Sequence, residues 1–331
     1  MPELKLLFDP EDKIQYGRDV CFLCGAALPA EHNTDEHVIP KWVQQRYDLW
    51  NQRLTLLNKT EIPYRQLTIP CCVTCNGTHL NMIETAMQQA CDAGAQAVRD
   101  LPSQTVFIWM GKILFGLLYR EHFLSWSRRA PDEGVIVDEE TLRRYRLHHQ
   151  FLQAARIPFE FQPDVPASIL VYETLEPADD KMRFDYRDNP LMLSIAIRVG
   201  KVGIIACLQD GGALKYSFGD HFKEFETLQL HPMQFSGVTA QVWYDLSRFN
   251  RTPKFMLHEQ AGKVQVYMNP LGGLSGKPLF EDGNMEEFGK IFAQIAHVSD
   301  VEMIMPQPGR VMTWLRNSSG TLKQMLADDP A

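Results

Sequence analysis

The chain has 331 residues, 45% apolar and 22% charged, the balance of an ordinary globular protein with room for two domains. Aromatic residues at 10% argue against long disorder. The net charge of −8 excludes overall basicity as a route to nucleic acid, so any phosphate contact has to come from a local patch.

Residues 1–20 are polar and read as a lead-in strand or loop. The N-terminal Met1-Pro2-Glu3-Leu4-Lys5 lacks the apolar run of a signal peptide, which predicts a cytoplasmic protein. Cys21-Phe22-Leu23-Cys24 follows, and then Asp35-Glu36-His37-Val38-Ile39-Pro40. The second segment reads as a strand ended by Pro40, which cannot donate to a ladder. Lys41 to Leu49 reads as a short helix or turn, and residues 50–70 as loop, punctuated by Pro63 and Pro70. Cys72-Val73-Thr74-Cys75-Asn76 leads into a helix in which Leu80, Ile83, Met87 and Ala90 recur at helical spacing.

A second helix is expected from about Ser103 to Trp126, apolar on most sides and therefore buried. Its most apolar stretch, Val106 to Leu118, contains Lys112 and is too short to span a bilayer. A third helix runs from about Asp138 to Ala155. Beyond Pro158 the texture turns to short β-rich runs: 168–172, 182–186, 192–199, 203–208, 214–218, 254–258 and 264–268. Helices near 238–249 and 285–297 interrupt them. These runs predict an α+β domain with a largely antiparallel sheet and a frayed end at 325–331. The division expected is 1–100, a helical connector at 101–157, and a C-terminal domain at 158–331, whose role is specificity, regulation or partner binding.

Seven cysteines stand at 21, 24, 71, 72, 75, 91 and 207. An odd count with paired spacings suits a metal in a reducing compartment better than a disulfide framework. Two Cys-x-x-Cys knuckles supply four thiolates, Cys21, Cys24, Cys72 and Cys75, enough to close a tetrahedral structural zinc site. Cys71 competes with Cys72, but only Cys72 keeps the two-residue gap to Cys75. His37 lies between the knuckles among acids. A histidine titrating near neutrality suits the activation of water for phosphodiester hydrolysis, which also needs a cation to stabilise charge on the phosphate.

Cys21, Cys24, Glu36, His37, Pro40, Cys72, Cys75 and Asn76, in this order, resemble the HNH endonuclease family with its ββα-metal fold. The resemblance covers roughly residues 18 to 90. It implies a zinc-stabilised nuclease core in which His37 is the base and Glu36, with Asn76, holds a catalytic magnesium or manganese ion. The family usually has Asp or His where Glu36 stands, and Asp35 competes for the same role, being on the side of His37 in a regular strand. Asn76 is alternatively a helix N-cap. His79, three residues on, is an accessory ligand or phosphate contact, and Glu84 orients one of them or is a solvated helix charge. The family's middle residue, which orients the base, has Gln66 as its nearest counterpart, with Asn58 further off.

Lys41, Arg46, Arg53 and Arg65 are the candidate nucleic-acid contacts. Arg128, Arg129, Arg143, Arg144 and Arg146 form a second basic cluster, equally readable as a solvated helix face. His148-His149, Asp179-Asp180 and His221 form no recognised spacing, and Gly211-Gly212 and Gly272-Gly273 read as turns. The expectation is a metal-dependent endonuclease acting on DNA, in a restriction or antiphage defence setting, with a homodimer or regulatory protein as possible partner and no membrane. The alternatives are a catalytically inactive zinc-stabilised module that binds nucleic acid or protein, and a nuclease acting on RNA.

Overall fold

A computed structural model describes residues 6–9, 16–29, 33–177, 182–272, 276–298, 301–307 and 309–327. Residues 1–5 and 10–15 of the expected lead-in, Asp179-Asp180, Gly273 and the end at 328–331 lie outside the described residues. In chain order the elements are β1 (Asn33–His37), α1 (Lys41–Arg46), β2 (Arg53–Thr55), β3 (Glu61–Pro63), β4 (Thr68–Cys72), α2 (Asn81–Ala93), α3 (Ala95–Asp100), α4 (Ser103–Glu121), α5 (Glu139–Arg144), α6 (Arg146–Leu152) and β5 (Phe159–Gln162). Then come β6 (Ser168–Glu173), β7 (Phe184–Asn189), β8 (Ser194–Val199), β9 (Val202–Cys207), α7 (Ala213–Glu224), α8 (Pro232–Ser247), β10 (Phe255–Gln260), β11 (Lys263–Met268), α9 (Met285–Ile295) and α10 (Val301–Ile304). The protein is mixed α+β, and its largest sheet is antiparallel.

Two compact units emerge. The first comprises Met1–Gln89, Pro102–Pro163 and Leu257–Tyr267. In it β1 and β4 pair antiparallel, with Asn33 opposite Cys72 and His37 opposite Thr68. Their connection holds α1 and the small β2–β3 pair, so 50–70 is not merely loop: Leu54 and Ile62 face each other there. A six-residue π-helical turn, Cys75–Leu80, runs into α2. Buried α4 is the centre of this unit, as its apolar sequence requires. Two glycines set the approach of its neighbours. A Cβ on Gly116 would stand 3.2 Å from Val38, where the strand pair packs, and one on Gly111 would stand 2.7 Å from the His148 ring of α6. His148 and His149, without recognised spacing in the sequence, are core residues bonded to the carbonyls of Gly111 (3.2 Å) and Phe22 (2.6 Å). β5 pairs parallel with β11, which forms a hairpin with β10.

The second unit comprises Ala90–Leu101, Asp164–Met256 and Met268–Ala331. Its sheet has the order β6-β9-β8-β7, and every pair is antiparallel. α7 and α8 cover it with Leu214, Phe222, Phe235 and Val238, and a smaller cluster joins Tyr244 of α8 to Phe288 and Phe292 of α9. Residues 214–218, expected as strand, are helical instead. Asp210 accepts the amides of Gly212 (3.0 Å) and Leu214 (2.9 Å) and so fixes the helix start, and burial of Leu214 and Phe222 overrides the local alternation.

Candidate functional site

The first knuckle is a tight turn. Cys21 donates its amide to Ala26, Gly25 donates to Cys21, and Gly25 sits at φ +70°, where other residues are strained. The amide of Phe22 bonds Pro70 of β4, which docks this turn beside the second knuckle. Cys21, Cys24, Cys72 and Cys75 converge there, all four sulfurs within 4.8 Å of one another. Cys24 and Cys72 stand 3.8 Å apart. A tetrahedral ion with Zn–S bonds of about 2.3 Å requires about 3.8 Å between sulfurs, so the four residues fit a metal such as zinc.

The thiols also act on one another. Hydrogen bonds from Cys24 first, then Cys71 and Cys75, push the Cys21 thiol far below its ordinary range. The bond to Cys21 pushes Cys24 and Cys75 up. Sulfurs that oppose joint ionisation in this way coexist as thiolates only around a cation. Cys71 stands outside the set. Its sulfur lies 3.9 Å from that of Cys21, and its thiol is pushed well up, chiefly by that bond and then by burial.

Beside the cluster lies a cavity of about 410 Å³. β1 contributes Asp35, Glu36 and His37 to it, α1 contributes Lys41 and Trp42, and the π-helical turn contributes Asn76. One face of α2, with Asn81, Glu84, Thr85 and Gln88 at helical spacing, forms the opposite wall. Carboxylates and amide groups dominate, a donor set that suits a hard cation.

Below this cavity Lys112 of α4 reaches β1. Its ammonium lies 2.8 Å from Glu36 Oε1, 2.6 Å from Glu84 Oε1, 3.0 Å from the His37 carbonyl and 3.2 Å from that of Val38. Burial pulls the Lys112 pKa down, but Glu36 and Glu84 more than offset it and the ammonium stays charged. Burial raises Glu84, Lys112 opposes that rise, and Glu36 adds to it. Two carboxyl groups therefore share one ammonium at the cavity floor. Glu36 is 5% exposed and committed through one oxygen to Lys112, so it offers only its second oxygen to the cavity.

His37 is held on two sides. The Trp50 ring packs at 5.7 Å between centroids, and Gln44 Nε2 stands 3.2 Å from His37 Nδ1. The same Gln44 nitrogen donates to the Ile39 carbonyl at 2.7 Å, which fixes the orientation of the amide. His37 Nδ1 therefore accepts, and the ring proton sits on Nε2. Burial first, then the charges of Lys41 and Lys112, lower the His37 pKa to about 4 against the opposing pull of Asp35. The ring is neutral at pH 7.

Asn76 lies inside the helical turn and caps nothing. Its amide nitrogen donates to Thr34 Oγ1 at 3.0 Å and to the Asp35 carbonyl at 3.4 Å, leaving its oxygen for the cavity. His79 and Gln66 do not line this cavity, and Gln66 is not the partner of His37. Asn58 instead shapes a turn, accepting from Thr60 and donating to Trp126. Glu84 is no solvated helix charge. Of the cations, Lys41 lines the cavity, Arg46 stacks over Trp42 at 5.1 Å, and Arg65 braces the Trp50 carbonyl. Arg143 and Arg144 pair with Glu139 and Glu140 one turn earlier, the solvated-face arrangement.

Gln44, Lys112 and, apart from Glu84, the α2 face were not singled out by spacing. Gln44 follows His37 by seven residues and had no motif to mark it. The one signal for Lys112 was a lone ammonium inside an apolar helix, which demands a buried partner. No family model, curated protein or solved structure matches this chain. No helix among the described residues is long and apolar enough to cross a membrane.

Proposed function

We propose that the first unit is a metal-dependent endonuclease of the HNH type, hydrolysing phosphodiester bonds in DNA around His37. The observation that carries this reading is the shared cavity. It joins a neutral histidine, acidic oxygens of opposite elements and the Asn76 amide beside a four-cysteine cluster. An antiparallel strand pair followed by a helix, as in a ββα arrangement, supports it further.

The cysteines hold a structural zinc and do no chemistry. Asp35, the second oxygen of Glu36 and the Asn76 oxygen are the groups that would hold magnesium or manganese. That ion, when bound, supplies charge stabilisation at the scissile phosphate. His37 takes the proton of the attacking water. With Nδ1 occupied by Gln44, base action at Nε2 requires the proton to move to Nδ1 and Gln44 to turn its oxygen toward it. Among the described residues Gln44 Oε1 is buried without a partner, and turning it toward Nδ1 gives up the Nε2 bond to the Ile39 carbonyl. Lys112 keeps Glu36 and Glu84 from repelling each other, and Lys41 offers a charge to phosphate.

One observation favours the rival of an inactive binding module: both Glu36 and His37 are already engaged by protein partners. Manganese binding followed by paramagnetic relaxation, with plasmid cleavage in parallel, separates the two. The nuclease reading expects manganese binding that weakens in Asn76→Ala, and cleavage that falls with it. Intact zinc with neither manganese binding nor cleavage selects the inert module.

A further inference from the structure

Arg120 lies in the last turn of α4 and borders a second cavity, of about 360 Å³, in the first unit. Among the described residues its guanidinium makes no hydrogen bond and no ion pair, and its Nε is buried without a partner. Burial first, then the like charge of Arg18, works against the Arg120 charge, and Asp35 of the His37 cavity works for it. An ion held half-buried and unpaired is costly, and a structure that keeps one leaves it for a ligand.

The rest of the cavity fits that ligand. Among the described residues no carboxylate lines it. Arg128 borders it, anchored by one nitrogen to the Glu61 carbonyl at 3.2 Å, which leaves the remainder of its fork free. Gln66 and Ser125 add an amide and a hydroxyl, and Ile62 and Leu124 form apolar walls. Arg18 stands nearby, 5.1 Å over the Phe123 ring. In a chain of net charge −8, arginines gathered at a cavity whose lining holds no acid form a local positive field. Planar guanidinium forks match the oxygens of a phosphate.

We infer that Arg120 and Arg128, with Gln66 and Ser125, form an oxyanion pocket for a phosphate group, and that this group is a backbone phosphate of the nucleic acid cut at His37. The second half rests on the nuclease reading, and the first does not.

The test uses the full chain on a His37→Ala background, so that no cutting intervenes. Inorganic phosphate is titrated by NMR, and a labelled single-stranded oligonucleotide is titrated over a salt series. Both are done for the parent, Arg120→Gln, Arg120→Lys and Arg128→Gln, with zinc content as the folding control. Arg120→Gln is expected to abolish phosphate binding, to weaken the oligonucleotide about tenfold, and to lower the log–log salt slope by about one. Arg120→Lys is expected to restore part of each. Phosphate binding lost in Arg120→Gln, with no oligonucleotide binding by any protein, keeps the pocket and overturns the nuclease reading. Zinc-replete Arg120→Gln and Arg128→Gln proteins that bind phosphate and oligonucleotide like the parent overturn the pocket.

Discussion

Replacing Lys112 with methionine tests the buried ion triad. The substitution keeps the apolar stem and removes the ammonium. Glu36 and Glu84 then face each other at a buried site, and the carbonyls of His37 and Val38 lose their donor. Removing one partner of a buried ion pair costs about 3–5 kcal/mol. The sign with pH follows from the glutamates. Burial already raises Glu84, and loss of Lys112 removes the charge that opposes the rise. A carboxyl whose folded pKa is raised is favourable to folding below its unfolded value of about 4.3 and loses that contribution as pH rises. The deficit of Lys112→Met relative to wild type is therefore largest at pH 7 and shrinks toward pH 5. Adding Glu36→Gln and Glu84→Gln recovers more than half of it, because no charge is left unpaired. Urea midpoints across this pH range measure both effects. A loss below about 1 kcal/mol with no pH dependence refutes the reasoning, since a surface pair behaves that way.

Three further outcomes are expected. Cys72→Ser loses the bound metal, whereas Cys71→Ser keeps it, as atomic emission of the purified proteins shows. Equal loss in both contradicts the assignment of the four ligands. Burial lowers His148 and His149 to about 4, so both are neutral in the fold and the unfolded chain protonates first. Each contributes about 3 kcal/mol that is present above pH 6.5 and lost as pH falls to 4. Urea unfolding at saturating zinc reads this loss, and His148→Gln flattens the slope. Gly111→Ala brings a Cβ to 2.7 Å of His148 and forces α4 and α6 apart, costing about 1–3 kcal/mol, read as a lower melting temperature.

The parts of the site legible in the sequence are those set by short spacing. Two Cys-x-x-Cys knuckles are local turns, and their convergence follows from the pairing of β1 with β4. Cys72 takes its place through the two-residue gap, and Cys71, one residue earlier, is left to bond Cys21. The helices 81–93 and 103–121 were visible as periodic apolar runs without proline. What spacing did not show are contacts over long separations. Lys112 meets Glu36 across 76 residues, and no local pattern joins an ammonium in one helix to a carboxylate in a distant strand. Gln44 is hidden for another reason. Its role depends on α1 folding back against β1, and a lone amide in a short helix carries no periodic signal. In the second unit, Leu214 to Phe218 alternates like a strand, but Asp210 and burial against the sheet make it a helix.

The central claim is that His37 activates water for phosphodiester cleavage. The most direct measurement is cleavage of supercoiled plasmid in magnesium or manganese by wild type and His37→Ala, with zinc quantified in both. The account predicts nicked or linear product from wild type and none from a zinc-replete His37→Ala protein. Equal cleavage by the two proteins, or no cleavage of DNA by either in both metals, contradicts it.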